Sequence, residues 1–216
     1  MQRLPRLQEG CYYHIYNRGN NQADLFYEPR KYRYFLEQYT KYIEPVADTF
    51  AYCLLTNHFH LLVRIKTAEE QPLDPPRDAT QQFANFFNSY TKSINKAYHR
   101  TGSLFQKRFG RIEVTSERYF GTLVRYIHQN PQKHGFVDDF RTYPYSSYGS
   151  LLSQQPTRLR RDTVLAWFGG AASLAAAHQE NVIAENIEGI IDADFETLFY
   201  KRDLPGFRKP GRSLTR

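Results

Sequence analysis

The 216-residue chain reads as an α+β protein built on a four-stranded antiparallel sheet. Three observations predict this. Short runs rich in β-branched and aromatic residues recur at four places along the first half. Between and after them lie segments whose apolar residues return every three to four positions, the helical period. Finally, only Thr56-Asn57 separates the second and third runs, a spacing that permits a hairpin and no parallel crossover.

Residues 11–18 (Cys-Tyr-Tyr-His-Ile-Tyr-Asn-Arg) predict the first strand, and Gly19-Asn20-Asn21 turns the chain. Pro29 suits the first turn of a helix with the stripe Tyr32, Phe35, Leu36, Tyr39 and Ile43, which must stop before Pro45. Residues 48–55 and 58–65 form the second and third strands. After a proline-bearing loop, Asp78 or Thr80 caps a helix carrying Phe83, Phe87, Tyr90 and Ile94, and Gly102 is placed to end it. Residues 103–114 predict the fourth strand. Ser116 opens a third helix, with Phe120, Leu123, Val124 and Ile127 on its apolar stripe, ending near Asn130-Pro131. The order β-α-β-β-α-β is ferredoxin-like, with two helices on one face and the third helix free to reach the other. Residues 1–150 are expected to be one domain and 151–216 a helical extension. Within the extension, 162–168, 171–187 and 193–200 look helical, and a mobile basic arm begins at Lys201.

Composition narrows the function. A hydrophobic fraction of 41% with 24% charged residues is ordinary for a globular protein and excludes a disordered or collagen-like chain. Lys plus Arg minus Asp plus Glu gives 29 − 22 = +7, and there are 17 Tyr and 16 Phe. Positive charge with many rings points to a polyanion such as an unpaired nucleic acid, because cations bind phosphates and rings stack on bases. Two cysteines, Cys11 and Cys53, offer neither a disulfide framework nor zinc spacing. The N-terminus lacks an apolar leader and no stretch is long enough to span a bilayer, so a soluble, intracellular protein is expected.

The chemistry centres on His58-Phe59-His60. On a strand, residues two apart share a face, so both imidazoles stand together opposite the apolar face of Phe59, Leu61, Val63 and Ile65. Such a pair can grip one divalent ion from the same side. On the third helix, Tyr126 and Asn130 lie one turn apart, within about 40° of each other around the axis. A phenol, two imidazoles and an amide are the parts of a metal-assisted nucleophilic site.

The string Leu55-Thr56-Asn57-His58-Phe59-His60-Leu61-Leu62-Val63 resembles the HUH motif, in which a bulky hydrophobe separates two histidines. Arg125-Tyr126-Ile127-His128-Gln129-Asn130-Pro131 resembles the tyrosine helix of the same enzymes. Three more pieces match in order: residues 13–21, residues 102–109, and Tyr145-Ser146-Ser147-Tyr148. The chain is similar to the single-tyrosine transposases of the HUH fold, and most to their REP-associated branch. One departure is Thr56, where the family commonly carries Pro.

The resemblance implies that His58, His60 and Asn130, with Gln129 as the fallback, hold Mg²⁺ or Mn²⁺ at a scissile phosphate. It implies that Tyr126 attacks to give a 5′-phosphotyrosine, with a metal-bound hydroxide or His128 as its proton acceptor. The implied substrate is single-stranded DNA bearing hairpins or palindromic repeats. Candidate DNA contacts are Arg18, Asn20, Asn57, Lys107, Arg108 and Arg111, and a bacterial, cytoplasmic, nucleoid-associated protein follows. Two other classes fit the residues alone: a module that binds single-stranded nucleic acid without cutting it, and a metal-dependent phosphodiester hydrolase. Nothing resembles a nucleotide-binding loop, and the sequence leaves monomer and homodimer equally open.

Overall fold

A computed structural model describes residues 5–106 and 108–180. Its sheet holds β1 (Tyr12–Arg18), β2 (Ala47–Leu55), β3 (His58–Ile65) and β4 (Gly110–Glu113), ordered β2-β3-β1-β4 with every neighbouring pair antiparallel. With α1 (Pro29–Tyr42) between β1 and β2, and α2 (Ala79–Ala97) between β3 and β4, this is the ferredoxin-like arrangement.

Strand alternation divides the sheet into two chemically different faces. Tyr13, Ile15, Phe59, Leu61 and Val63 join α1 and α2 in one apolar core. There the Phe35 ring lies 4.7 Å from Phe86, 5.1 Å from Tyr90 and 5.3 Å from Phe59. Burying each such ring contributes about 2–3 kcal/mol. Most of the aromatic residues are therefore core. Among the described residues the exposed large hydrophobics are Tyr27, Phe136 and Trp167, so the abundance of rings is not a base-stacking surface.

Three local expectations are corrected. The cap of α2 is Asp78, whose Oδ1 accepts from the Gln81 amide, but the helix ends at Ala97 and Gly102 lies in the turn beyond. The fourth strand is short. Leu104 and Phe105 are consecutive and both enter the core, which a regular strand forbids, and Arg108 has a left-handed backbone (φ 65°). Of the expected strand, 103–109 keeps a single bridge, Gly19 to Phe105.

The third correction matters most. Helix α3 (Glu117–Lys133), capped by Ser116, does not stop at Asn130-Pro131. Proline in the last turn removes only one donor, so the helix runs another half turn. Gly135, at φ +70°, then ends it: Phe136 N–H bonds the Pro131 carbonyl (2.8 Å) and Gly135 N–H that of Gln132 (3.0 Å), the pattern of a Schellman motif. Asn130 thus stays helical, in register one turn after Tyr126.

Beyond α3, the chain returns along the outer edge of β2. Leu54 N–H bonds the Tyr145 carbonyl, Ser147 N–H that of Tyr52, and Arg160 N–H that of Thr49, which covers an otherwise open sheet edge. Three short helices follow: α4 (Tyr148–Leu152), α5 (Arg161–Phe168) and α6 (Ala171–Ala177). Trp167 of α5 stacks on Phe120 of α3 with ring centres 4.1 Å apart. Of the helix expected at 171–187, the described part is helical to Ala177. The helix expected at 193–200 and the basic arm from Lys201 lie outside the described residues, as does Lys107. No helix among the described residues is long and apolar enough to cross a membrane.

Candidate active site

Register brings the site together. β1 pairs with β3 so that Tyr16 faces His60 and Arg18 faces His58, which puts these four side chains and His14 on the sheet face opposite α1 and α2. That face is covered by α3, the helix free to reach it. His58 is 1% exposed, His60 0%, Tyr126 3% and Asn130 0%. The two imidazoles are perpendicular with centres 5.3 Å apart, and the Tyr126 ring meets His60 edge-on at 5.5 Å. Residues nearly seventy positions apart in the chain thus form one cluster.

The hydrogen bonds decide which nitrogens face inward. Asn57 Oδ1 lies 2.7 Å from His58 Nδ1; an amide oxygen only accepts, so Nδ1 carries the proton and Nε2 the lone pair. His60 Nδ1 lies 2.9 Å from His14 Nε2, both rings fully buried. Asn130 lies against His58 closely enough to favour that ring's charged form, yet its buried Oδ1 has no hydrogen-bond partner. Burial nevertheless dominates. It holds His58 and His60 well below the ordinary histidine range, helped by repulsion from neighbouring rings, and pushes His14 down to about 3. The imidazoles are therefore neutral at neutral pH, as metal ligands must be.

Among the described residues no three His, Cys, Asp or Glu side chains are arranged to hold a metal ion. A third donor must come from another residue type, and Asn130 Oδ1 is a buried oxygen in need of a partner. Two neutral imidazoles and an amide carbonyl could hold one divalent ion, an arrangement more natural for a transition ion such as Mn²⁺ than for the oxygen-seeking Mg²⁺.

The other expected residues fall in distinct places. Arg18, 6% exposed, stands beside His58 on the covered face. Asn57 is engaged with His58. Gln129 donates to the carbonyls of His178 (3.0 Å) and Glu180 (2.8 Å), so its amide serves the contact with that segment rather than the histidine pair. Asn20 and Arg108 are exposed, at the turn after β1 and before β4. Arg111 pairs with Ile15 and so belongs to the opposite sheet face, over the Phe109 ring at 4.2 Å. His128 is not placed to take a proton from Tyr126: its two nitrogens are bound to His178 Nε2 (2.8 Å) and Ser147 Oγ (2.7 Å).

Three neighbours were missed by reasoning from sequence. His14 belongs to the first strand and to the matching piece 13–21 without a role; its place beside His60 follows from the β1–β3 pairing, which the sequence does not announce. His134, edge-on to His58 at 5.1 Å, and Lys133, whose Nζ lies 5.2 Å from the centre of the Tyr126 ring, lie past the expected end of α3. The overlooked signal was Gly135, a better helix stop than Pro131.

No family model matches the chain. A Haemophilus influenzae protein bearing the provisional name REP-associated tyrosine transposase is 27% identical over 103 residues, 47% of this chain and 58% of that protein. The match thus spans little more than half the relative's length. A solved REP-associated tyrosine transposase bound to a REP hairpin shares the fold, with a TM-score of 0.55 at 18% identity over 72% of this chain and 88% of that one. In sequence and in fold, the chain resembles the REP-associated tyrosine transposases.

Proposed function

We propose that this protein is a metal-dependent transesterase that cleaves and rejoins hairpin-bearing single-stranded DNA through Tyr126. The observation that carries the reading is the convergence of one phenol, two neutral imidazoles and an unpartnered amide oxygen in a single buried cluster. Support comes from the likeness to a transposase whose solved form binds a REP hairpin. The chain's basic balance, +7, suits a polyanionic substrate.

His58 Nε2, His60 Nε2 and Asn130 Oδ1 would hold Mg²⁺ or Mn²⁺, which when bound polarises a phosphoryl oxygen. Tyr126 Oη attacks the phosphorus as the P–O3′ bond breaks. The 3′-oxygen leaves with a proton, and the 5′-phosphate stays on the tyrosine. One phosphodiester replaces another, so a second 3′-hydroxyl can reverse the step without a nucleotide cofactor. A phenol with an ordinary pKa of about 10 needs help to lose its proton. Lys133, over the Tyr126 ring, favours negative charge there as it develops. Arg18, beside His58, would pair with a phosphate there. Tyr126 is only 3% exposed, so a phosphodiester reaches its oxygen only when neighbouring side chains move aside. Phe136 lies at the surface beside the site, its ring 6.4 Å from that of His58.

The test mixes the protein with Mn²⁺ and end-labelled DNA hairpins from repeats flanking its own gene, resolved on a denaturing gel. The expected product is a protein–DNA adduct, lost with EDTA and in Tyr126→Phe, while hairpin affinity in the variant stays within about twofold. Cleavage without an adduct would favour the hydrolase instead. Binding without cleavage, unchanged in Tyr126→Phe, would favour the binding module.

A further inference from the structure

We infer that His14 is a positioning residue for His60, fixing the tautomer and the ring orientation that let His60 Nε2 act as a metal ligand. The inference rests on the metal-site reading above and adds a residue to it.

The geometry is specific. His14 and His60 sit on adjacent antiparallel strands, diagonal to one another, because Tyr16 pairs with His60 and His14 with Leu62. Both are fully buried, their rings are 22° from parallel with centres 5.1 Å apart, and His14 Nε2 lies 2.9 Å from His60 Nδ1. Two neutral imidazoles joined in this way share one hydrogen. Either His60 Nδ1–H donates to His14 Nε2, or the reverse. The first arrangement leaves the lone pair of His60 on Nε2. The second puts a proton on Nε2 and forbids ligation.

A ligand's other ring nitrogen needs an acceptor to hold its hydrogen, and a buried acceptor also stops the ring from turning. With its own hydrogen on Nδ1, His14 Nε2 would be such an acceptor. His58 is served in the same way by Asn57 Oδ1, 2.7 Å from its Nδ1. The two histidines of the pair therefore each have Nδ1 engaged by a neighbour, His58 by the residue before it and His60 by one on another strand. In that arrangement both rings would present Nε2 to one ion. Asn57 precedes its histidine and comes with the turn, whereas His14 arrives only when β1 docks.

The experiment measures Mn²⁺ affinity without DNA, by electron paramagnetic resonance of free Mn²⁺, for the wild type, His58→Ala, His14→Leu and His14→Gln. The Gln Oε1 can stand where Nε2 stands and accept from His60 Nδ1–H, whereas Leu fills similar space and accepts nothing. His14→Leu is expected to weaken Mn²⁺ binding by about 10–100-fold, and His14→Gln to restore it to within a few-fold. With Mg²⁺ in place of Mn²⁺, imidazole ¹⁵N NMR should show His60 protonated at Nδ1 in the wild type, and a share protonated at Nε2 in His14→Leu. If His14→Leu binds like the wild type, or if Leu and Gln lose affinity equally, His14 only packs and the inference falls. If the wild type binds no more tightly than His58→Ala, the metal-site reading has failed, and the role of His14 fails with it.

Discussion

Acid should loosen this protein through His178, and the size of the effect can be worked out. The His178 Nδ1–H donates to the Leu174 carbonyl (2.7 Å), which can only accept, so its Nε2 must accept from His128 Nδ1–H (2.8 Å). His128 Nε2 then accepts from Ser147 Oγ–H (2.7 Å), and Ser147 Oγ accepts from Tyr52 N–H (2.9 Å). Every member of the chain is satisfied while both rings are neutral. Burial pushes His178 down to about 4; the Leu174 carbonyl opposes this and Arg125, itself paired with Glu180 at 3.2 Å, adds to it. Asp138, Asp139, Arg141 and Tyr148 line the adjoining cavity of about 340 Å³ with His178. A histidine whose folded pKa is depressed is protonated first in the unfolded chain. Stability is therefore complete above pH 6.5, falls as pH drops from 6.5 toward 4, and levels off below that. At about 1.4 kcal/mol per unit, the loss attributable to His178 is about 2 kcal/mol at pH 5 and a little over 3 kcal/mol at its limit. Urea unfolding of the wild type and His178→Gln at pH 7.5, 6.5, 5.5 and 5 isolates this term from the other buried histidines. The variant should be less stable at pH 7.5, by about 1 kcal/mol for the lost bond to Leu174, yet lose about 2 kcal/mol less on going to pH 5. Parallel stability curves for the two proteins would refute the reasoning.

Two further outcomes are expected. In Gly110→Val the new Cβ would fall inside the Tyr16 ring, which lies across β4 at that position, so Tyr16 must leave its place beside His14. A cost of about 1–3 kcal/mol in urea unfolding follows, and less than about 0.5 kcal/mol would show that the ring yields freely. Arg18→Gln should weaken hairpin binding in EDTA and lower the magnitude of the salt slope by about one counterion; an unchanged slope would remove Arg18 from the DNA path.

What the sequence disclosed, and what it withheld, follows from the range of the interactions. The alternation at 58–65 and the hairpin at Thr56-Asn57 depend on neighbours, and β2 and β3 lie within a residue of their expected limits. The same holds for α1, opened by Pro29. The pair His58 and His60 needs only the two-residue period of a strand, and Tyr126 with Asn130 only the helical turn. By contrast, His14 and Arg18 join the site through the pairing of β1 with β3 across some forty residues, and no local pattern encodes that register. Pro131 suggests an end to α3 that Gly135 sets instead, and that half turn carries Lys133 and His134 into the cluster. Gln129 shows the same limit from the other side. On a helix it lies beside Asn130, and only the docking of residues 174–180 separates their roles.

That docking ties the segment after α5 to the candidate nucleophile. Arg125 donates to the Ala177 carbonyl and to Glu180, His128 to His178, and Gln129 to the carbonyls of His178 and Glu180. Residues 125, 128 and 129 form one face of α3, while Tyr126 and Asn130 lie about 120° round the helix, toward the sheet. The helix is thus gripped from outside by residues 174–180 and from below by the imidazole face. Rotation of α3 about its axis would break several hydrogen bonds at once, two of them partly buried bonds to the Ala177 and His178 carbonyls. The grip therefore fixes how far the Tyr126 phenol projects over His60. On this view residues 174–180 act on the site through the orientation of α3, although none of them touches the histidine pair in the contacts that define it.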